Sequence, residues 1–239
     1  MKLEIVNGIH TTQYMPITSN GKGILVIPAL FDEKRSSHRA VATFCDALSK
    51  VGYFVIHADL TGTGNSQSDM QELKKGQWID DINGLINTME EYEITLIAIR
   101  CGALFAANAD LNKLKKMILC QPIINGANMI KQMKTRRMVQ NSVTGEAPII
   151  DEYELDGEIL STDLYTELSE MTMPATAPIN YKILQFSFNT RVMADFQKLN
   201  NMWGGNDDKI KPYIHEPFWN SHSPGEYTDL VKIITDEVI

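Results

Sequence analysis

The run Leu96-Ile97-Ala98-Ile99-Arg100-Cys101-Gly102-Ala103-Leu104-Phe105-Ala106 passes from an unbroken apolar stretch into a string of small residues, with no turn residues between. The first half reads as a strand buried on both faces of a parallel sheet, and the second as a helix packed close against it. A strand that enters a helix without a loop is the layout of a nucleophile elbow, a small-x-nucleophile-x-small turn whose backbone closely approaches its neighbours. Placing the small positions at Ala98 and Gly102 puts Arg100 at the tip. Shifting by one makes Cys101 the tip, but Ile99 then occupies a position that demands a small residue. Arg100 is the preferred register and Cys101 the alternative.

Four further apolar runs, at 23–27, 53–58, 116–121 and 182–188, read as strands of the same kind, alongside the one at 94–99. Helical patterns fall between and after them at 37–50, 78–90, 102–113, 191–202 and 227–238. This alternation predicts a single α/β domain over 1–239, with a mostly parallel central sheet and helices on both faces. One stretch, 127–177, breaks the rhythm: it shows no clear strand and is rich in Met, Glu, Thr and basic residues. An insertion of that length is read as a small lid over the carboxyl ends of the strands, with a disordered loop as the alternative.

The chain of 239 residues is 44% hydrophobic and 22% charged, ordinary for a soluble globular protein. Its net charge of −8 gives no electrostatic reason to expect nucleic acid as a partner. No apolar run is long enough to span a membrane, and the first ten residues lack the apolar core of a signal peptide. Cys45, Cys101 and Cys120 are an odd number without paired spacing, so free thiols in a reducing compartment, the cytoplasm, are expected. No spacing of His, Cys, Asp or Glu suggests a metal site, and no cofactor is expected. Gly62 and Gly64 fit a tight turn, without the pattern of a phosphate-binding loop.

Arginine changes what an elbow can do. It cannot be deprotonated at physiological pH and offers no nucleophilic lone pair. It offers a fixed positive charge and a planar fork of donors suited to carboxylate or phosphate. Two partners fit that fork: an anionic group on a small-molecule ligand, or a buried acid of the same domain.

Five segments carry a family resemblance. They are Ile27-Pro28-Ala29-Leu30-Phe31-Asp32-Glu33-Lys34-Arg35-Ser36-Ser37-His38-Arg39; Gly52-Tyr53-Phe54-Val55 leading into Asp59-Leu60-Thr61-Gly62-Thr63-Gly64-Asn65-Ser66; the elbow with Arg100; Gly157-Glu158-Ile159-Leu160 with Leu164-Tyr165; and Glu216-Pro217-Phe218-Trp219. Through them the chain resembles the α/β-hydrolase superfamily, and more narrowly the exosortase-system-associated hydrolase-like proteins of bacterial exopolysaccharide loci. The resemblance implies the α/β-hydrolase fold, and one of those subgroups also carries arginine at the elbow. The label "hydrolase" rests on fold, and fold does not establish function.

A working triad needs a base after the last strand, oriented by an acid. His222, in Trp219-Asn220-Ser221-His222-Ser223-Pro224, stands where the superfamily places its histidine, and His215 is the runner-up. The superfamily's aspartate would follow 182–188, but the sequence there reads Ser187-Phe188-Asn189-Thr190-Arg191; Asp195 comes later, inside a helical stretch. Backbone N–H groups of Ala29, Leu30 and Phe31 beside that of Cys101 would form an oxyanion hole. His38 and Arg39, read as beginning the next helix, lie near the same rim or only cap the helix end. Phe218 and Trp219 wall the pocket or belong to the core. Lys131, Lys134, Arg136 and Arg137 read as a solvated helix face.

Two classes of function follow. The first is an enzyme acting on a small ester, thioester or glycan-linked acyl group without a serine nucleophile. In it His222 acts as general base, and Cys101 is a possible thiolate whose pKa is lowered by the guanidinium and the helix N-terminus. The second is a non-catalytic pseudo-hydrolase that binds an anionic ligand or a partner through the pocket around Arg100.

Overall fold

In the computed structural model, which describes residues 1–145, 151–220 and 227–239, the apolar runs become the centre of an eight-stranded sheet. The strands are β1 (Lys2–Val6), β2 (Ile9–Tyr14), β3 (Lys22–Ile27), β4 (Phe54–Asp59), β5 (Glu93–Ile99) and β6 (Leu114–Cys120). A separate two-residue hairpin, β7 (Glu154–Leu155) and β8 (Glu158–Ile159), precedes the last two, β9 (Tyr181–Ser187) and β10 (Ile210–Ile214). Their order is β1-β2-β4-β3-β5-β6-β9-β10. β1 and β2 pair antiparallel, as do β2 and β4, and every later pairing is parallel. This is the α/β-hydrolase sheet.

Among the described residues there are seven α-helices: α1 (Phe31–Lys50), α2 (Gln77–Asn87), α3 (Cys101–Ala107), α4 (Gly126–Thr144), α5 (Thr162–Glu170), α6 (Ala194–Met202) and α7 (Thr228–Val238). Two apolar clusters lie on the two faces. Alternation along β3 shows the division: Leu25 and Ile27 pack with Trp78 of α2 and Phe105 of α3, while Ile24 and Val26 pack with Phe44 of α1 and Leu230 of α7. No helix among the described residues is long and apolar enough to cross a membrane.

Two helix boundaries differ from the sequence expectation in ways that matter for the site. α1 starts at Phe31 rather than at 37, because Asp32 and Glu33 fill its first turn, where carboxylates favour a helix N-terminus. His38 and Arg39 therefore lie inside the helix and not at its start. α3 ends at Ala107 rather than running to 113. Past it the side chains of Asn108 and Asp110 hydrogen-bond nearby backbone, Asn108 Nδ2 to the Leu104 carbonyl at 2.9 Å and Asn112 N–H to Asp110 at 3.2 Å. Both offer the chain an alternative to the helix.

The described residues of the stretch 127–177 hold most of α4, the β7–β8 hairpin and α5. Only the first half of α4 has an apolar face, with Met129, Ile130 and Met133 buried while Met138, Val139 and Val143 are exposed. That broken periodicity is why the sequence pattern shows no helix there. Asn125 caps α4 by accepting from Asn128 N–H at 2.8 Å. At Gly126 the helix meets α5 so closely that a Cβ would lie 1.8 Å from the Leu168 carbonyl oxygen. Gly126→Ala is expected to cost roughly 1–3 kcal/mol, the range for overpacking; urea unfolding checks this, and an unchanged midpoint would contradict the contact.

Candidate functional site

The carboxyl ends of β3, β5 and β6 converge on Arg100. It stands between β5 and α3 at φ 53°, ψ −120°, a conformation that costs non-glycine residues on the order of 1–3 kcal/mol. Its N–H donates to the Cys120 carbonyl at 3.0 Å, and its carbonyl accepts from Ile123 N–H at 3.0 Å and Ala103 N–H at 3.2 Å. The turn is thereby fastened to the end of β6. Gly102 is required by space: a Cβ there would lie 2.2 Å from the Pro28 carbonyl oxygen. Two other side-chain-bearing residues at this end of the sheet also have positive φ, Phe31 at 58° and Gln121 at 46°.

Each of the three nitrogens of the Arg100 guanidinium has a partner within the domain. Nε donates to Glu33 Oε2 at 3.0 Å and Nη2 to Glu33 Oε1 at 2.9 Å, a bidentate fork. Nη1 donates to the Gln121 carbonyl at 3.2 Å, and the guanidinium carbon lies 5.0 Å from the centre of the Trp219 ring. The Arg100 and Glu33 side chains are only 18% and 16% exposed. Of the two partners the sequence left open, the structure holds the internal acid.

Beside this pair is a cavity of about 230 Å³, walled by Leu30, Phe31, Met129 and Met133, with Glu33–Arg100 and Arg136–Asp156 contributing charge to its lining. Cys101 also lines it but is 1% exposed. Burial pushes its thiol well up, Glu33 adds to this, and Arg100 opposes it without prevailing. The sequence expectation of a lowered Cys101 pKa is corrected here: the guanidinium acts in the expected direction, but it is already neutralised by Glu33 and is outweighed by burial.

The remaining candidates scatter. Ala29 is buried in the cluster under α1, and Phe218 is core, its ring 5.4 Å from Phe186. Arg39 is exposed on α1. His38 is exposed along a different cavity, lined also by Lys34, Asp59 and Thr63. His215 sets its Nδ1 2.5 Å from the Glu216 carbonyl oxygen and its ring against Phe186. His222 lies outside the described residues. After β9 comes no carboxylate, and Asp195 is an exposed residue in the first turn of α6. The basic cluster on α4 is not a uniformly solvated face: Arg136 binds Asp156 at 2.5 Å and borders the cavity, while Lys134 lies 4.9 Å from the Tyr165 ring centre. Glu33, Gln121 and the two methionines are what the sequence reading missed. Among the described residues no cluster of His, Cys, Asp and Glu is placed to hold a metal ion.

A second ionic cluster sits at the end of β4. Lys34 Nζ lies 2.7 Å from Asp59 Oδ1 and 2.7 Å from Thr63 Oγ1, Asn65 N–H donates to Asp59 at 3.0 Å, and His10 Nδ1 lies 3.6 Å away. Burial pushes the Asp59 carboxyl up, but Lys34 and the Asn65 N–H outweigh it and hold it below its usual range. His57, buried next to this cluster, is driven down to about 4, by burial first and then by Lys34, His38 and His10 against Asp59.

No protein-family model matches the chain. Its sequence is similar to palmitoyl-protein thioesterase ABHD10, mitochondrial, of Bos taurus, at 24% identity over 106 residues, 44% of this chain. The match spans about a third of that protein, 34%. Among solved structures, alpha/beta hydrolase domain-containing protein 10 from mouse superposes with a TM-score of 0.66 at 16% identity, covering 100% of this chain and 98% of that one. Est1E from Butyrivibrio proteoclasticus, solved with ferulic acid bound, gives a TM-score of 0.66 at 14% identity and the same coverage. The chain has the α/β-hydrolase fold. At these identities the likeness establishes architecture, and activity has to be argued from the site.

Glu33→Gln removes the charge facing Arg100 and is expected to cost about 2–4 kcal/mol, short of the ~3–5 kcal/mol of a fully buried pair. Replacing both residues with methionine should recover most of that loss, because an ion pair exchanged for packed apolar groups is often neutral. Urea midpoints for the three variants decide it, and a harmless Glu33→Gln would show the clamp to be unimportant. His57 gives a pH test. The unfolded chain protonates it below its ordinary value of 6.5, the folded chain only near 4. Its contribution to stability is therefore complete above 6.5 and lost as pH falls through that window. His57→Gln should flatten the decline in melting temperature across it; a parallel decline would place the proton uptake elsewhere.

Proposed function

We propose that this protein is a non-catalytic member of the α/β-hydrolase fold that binds a small acyl-bearing molecule in the cavity beside Arg100. The observation that carries this reading is the Arg100–Glu33 clamp: the position from which a hydrolase attacks is filled by a cation bound within the domain on three sides. Arginine has no nucleophilic lone pair, the neighbouring Cys101 is buried with its thiolate disfavoured, and the orienting acid after β9 is missing. The same arginine at the elbow in the exosortase-associated subgroup that this sequence resembles is consistent with a retained trait.

The cavity wall of Leu30, Phe31, Met129 and Met133 supports an aliphatic ligand, methionine adapting readily to flexible chains. The partial likeness to a palmitoyl-protein thioesterase points the same way. In this reading α4 and the β7–β8 hairpin form the lid, since Met129, Met133 and Asp156 reach the cavity from them and from the turn between the strands. Cys45, Cys101 and Cys120 are all free and buried, which suits a reducing compartment such as the cytoplasm.

The test is a panel of p-nitrophenyl esters and acyl thioesters incubated with the wild type, Arg100→Ala and Cys101→Ala. No variant should exceed the protein-free rate, while a medium-chain ester should raise the melting temperature of the wild type and fail to do so in the cavity-filling Met133→Trp. Wild-type turnover that disappears with Arg100→Ala or Cys101→Ala would overturn the reading. Iodoacetamide at neutral pH should leave Cys101 unmodified in the native protein.

A further inference from the structure

A second cavity, of about 440 Å³, adjoins the first and shares Arg136 and Asp156 with it. Its lining carries three guanidiniums, from Arg35, Arg136 and Arg137, against two carboxylates, from Asp32 and Asp156. Two of the three cations are accounted for. Arg35 lies 3.1 Å from Asp32 and 3.7 Å from Glu158, and Arg136 lies 2.5 Å from Asp156. Arg137 forms no ion pair among the described residues, and its Nε is buried without a hydrogen-bond partner. A guanidinium cannot shed its proton, so Arg137 brings to the lining of this cavity a fixed positive charge that no carboxylate of the described residues balances.

We infer that Arg137 receives the anionic head of an amphipathic ligand whose aliphatic chain lies in the neighbouring cavity against Met129 and Met133, an inference that rests on the acyl-binding reading above. The two chambers fit two halves of one molecule. The inner one is mostly apolar, with its charges paired; the outer one is polar, holds the unpaired guanidinium, and adds the neutral donors Ser36, Gln140 and Asn220. Arg100 is not the anion's receptor, because Glu33 already takes its Nε and Nη2 and the Gln121 carbonyl its Nη1. The ligand class is a straight aliphatic chain ending in one carboxylate or phosphate.

Calorimetric titration with octanoate, octyl phosphate, octanol and inorganic phosphate, on the wild type and Arg137→Gln, tests it. Both octyl anions should bind the wild type, and Arg137→Gln should weaken them about tenfold or more, the worth of one charged hydrogen bond. Octanol should bind both proteins alike, which also shows that the variant is folded. Inorganic phosphate, lacking the chain, should bind more weakly than octyl phosphate. Whichever anion binds more tightly identifies the head group, and either order supports the site. Anions that bind no better than octanol, or that ignore Arg137→Gln, overturn the inference while leaving the acyl-binding reading intact. Failure of every octyl compound overturns both, and ester turnover with Arg137-dependent octanoate binding overturns only the non-catalytic reading.

Discussion

The Arg100 guanidinium and the Glu33 carboxylate meet in a two-point fork where α1 and α3 both begin. A helix N-terminus favours anions and disfavours cations. Glu33, in the first turn of α1, is well placed by that rule, whereas Arg100, immediately before α3, is not. The pair resolves the conflict: the carboxylate that suits one helix start cancels the cation that does not suit the other. The Gln121 carbonyl and the Trp219 ring engage the rest of the guanidinium, so the ends of α1, α3 and β6 and the segment after β10 are joined through one side chain.

The backbone around this fork is strained, and the strain has a local cause. Gly102 lies against the Pro28 carbonyl, so the chain leaving β5 has no room for a relaxed turn and Arg100 takes up the positive φ. Gln121 does the same at the end of β6, and in that conformation its carbonyl reaches Arg100 while its side chain accepts from Phe186 N–H at 2.9 Å. In a hydrolase a turn of this kind presents a nucleophile. Here the Arg100 side chain is held by hydrogen bonds to the Glu33 carboxylate and the Gln121 carbonyl.

The fold was legible because its signal is simple. Runs such as 94–99 are apolar nearly throughout, and only strands covered on both faces need that. The turn from β5 straight into α3 was legible for a related reason, since it needs a residue as small as Gly102, where a Cβ would lie 2.2 Å from the Pro28 carbonyl oxygen. Glu33 was not legible. Its partner is 67 positions away in sequence, and the helix that carries it was read as starting later, which left Glu33 in a loop and His38 and Arg39 at a helix start they do not occupy. The cavity wall was hidden for another reason: Met129 and Met133 lie on a helix whose apolar face stops halfway, so no periodicity marked it. The α4 arginines read as solvated because charge runs usually are. Burial of the Arg137 Nε depends on what packs beside it, which no local pattern records.

Net charge in the two cavities bears on what the pocket can hold. Arg100 in isolation would make the inner chamber an anion site, but Glu33 is bound to it, and Arg136 is likewise bound to Asp156. A free carboxylate entering there would have to displace an existing bidentate partner while itself losing its water. An aliphatic chain faces no such competition against Leu30, Phe31 and the two methionines. Arg137, with no carboxylate partner among the described residues, would gain one from an arriving anion without giving one up. The selectivity of such a site would lie in that asymmetry: the chain is accepted where charges are already paired, and the head where one is not.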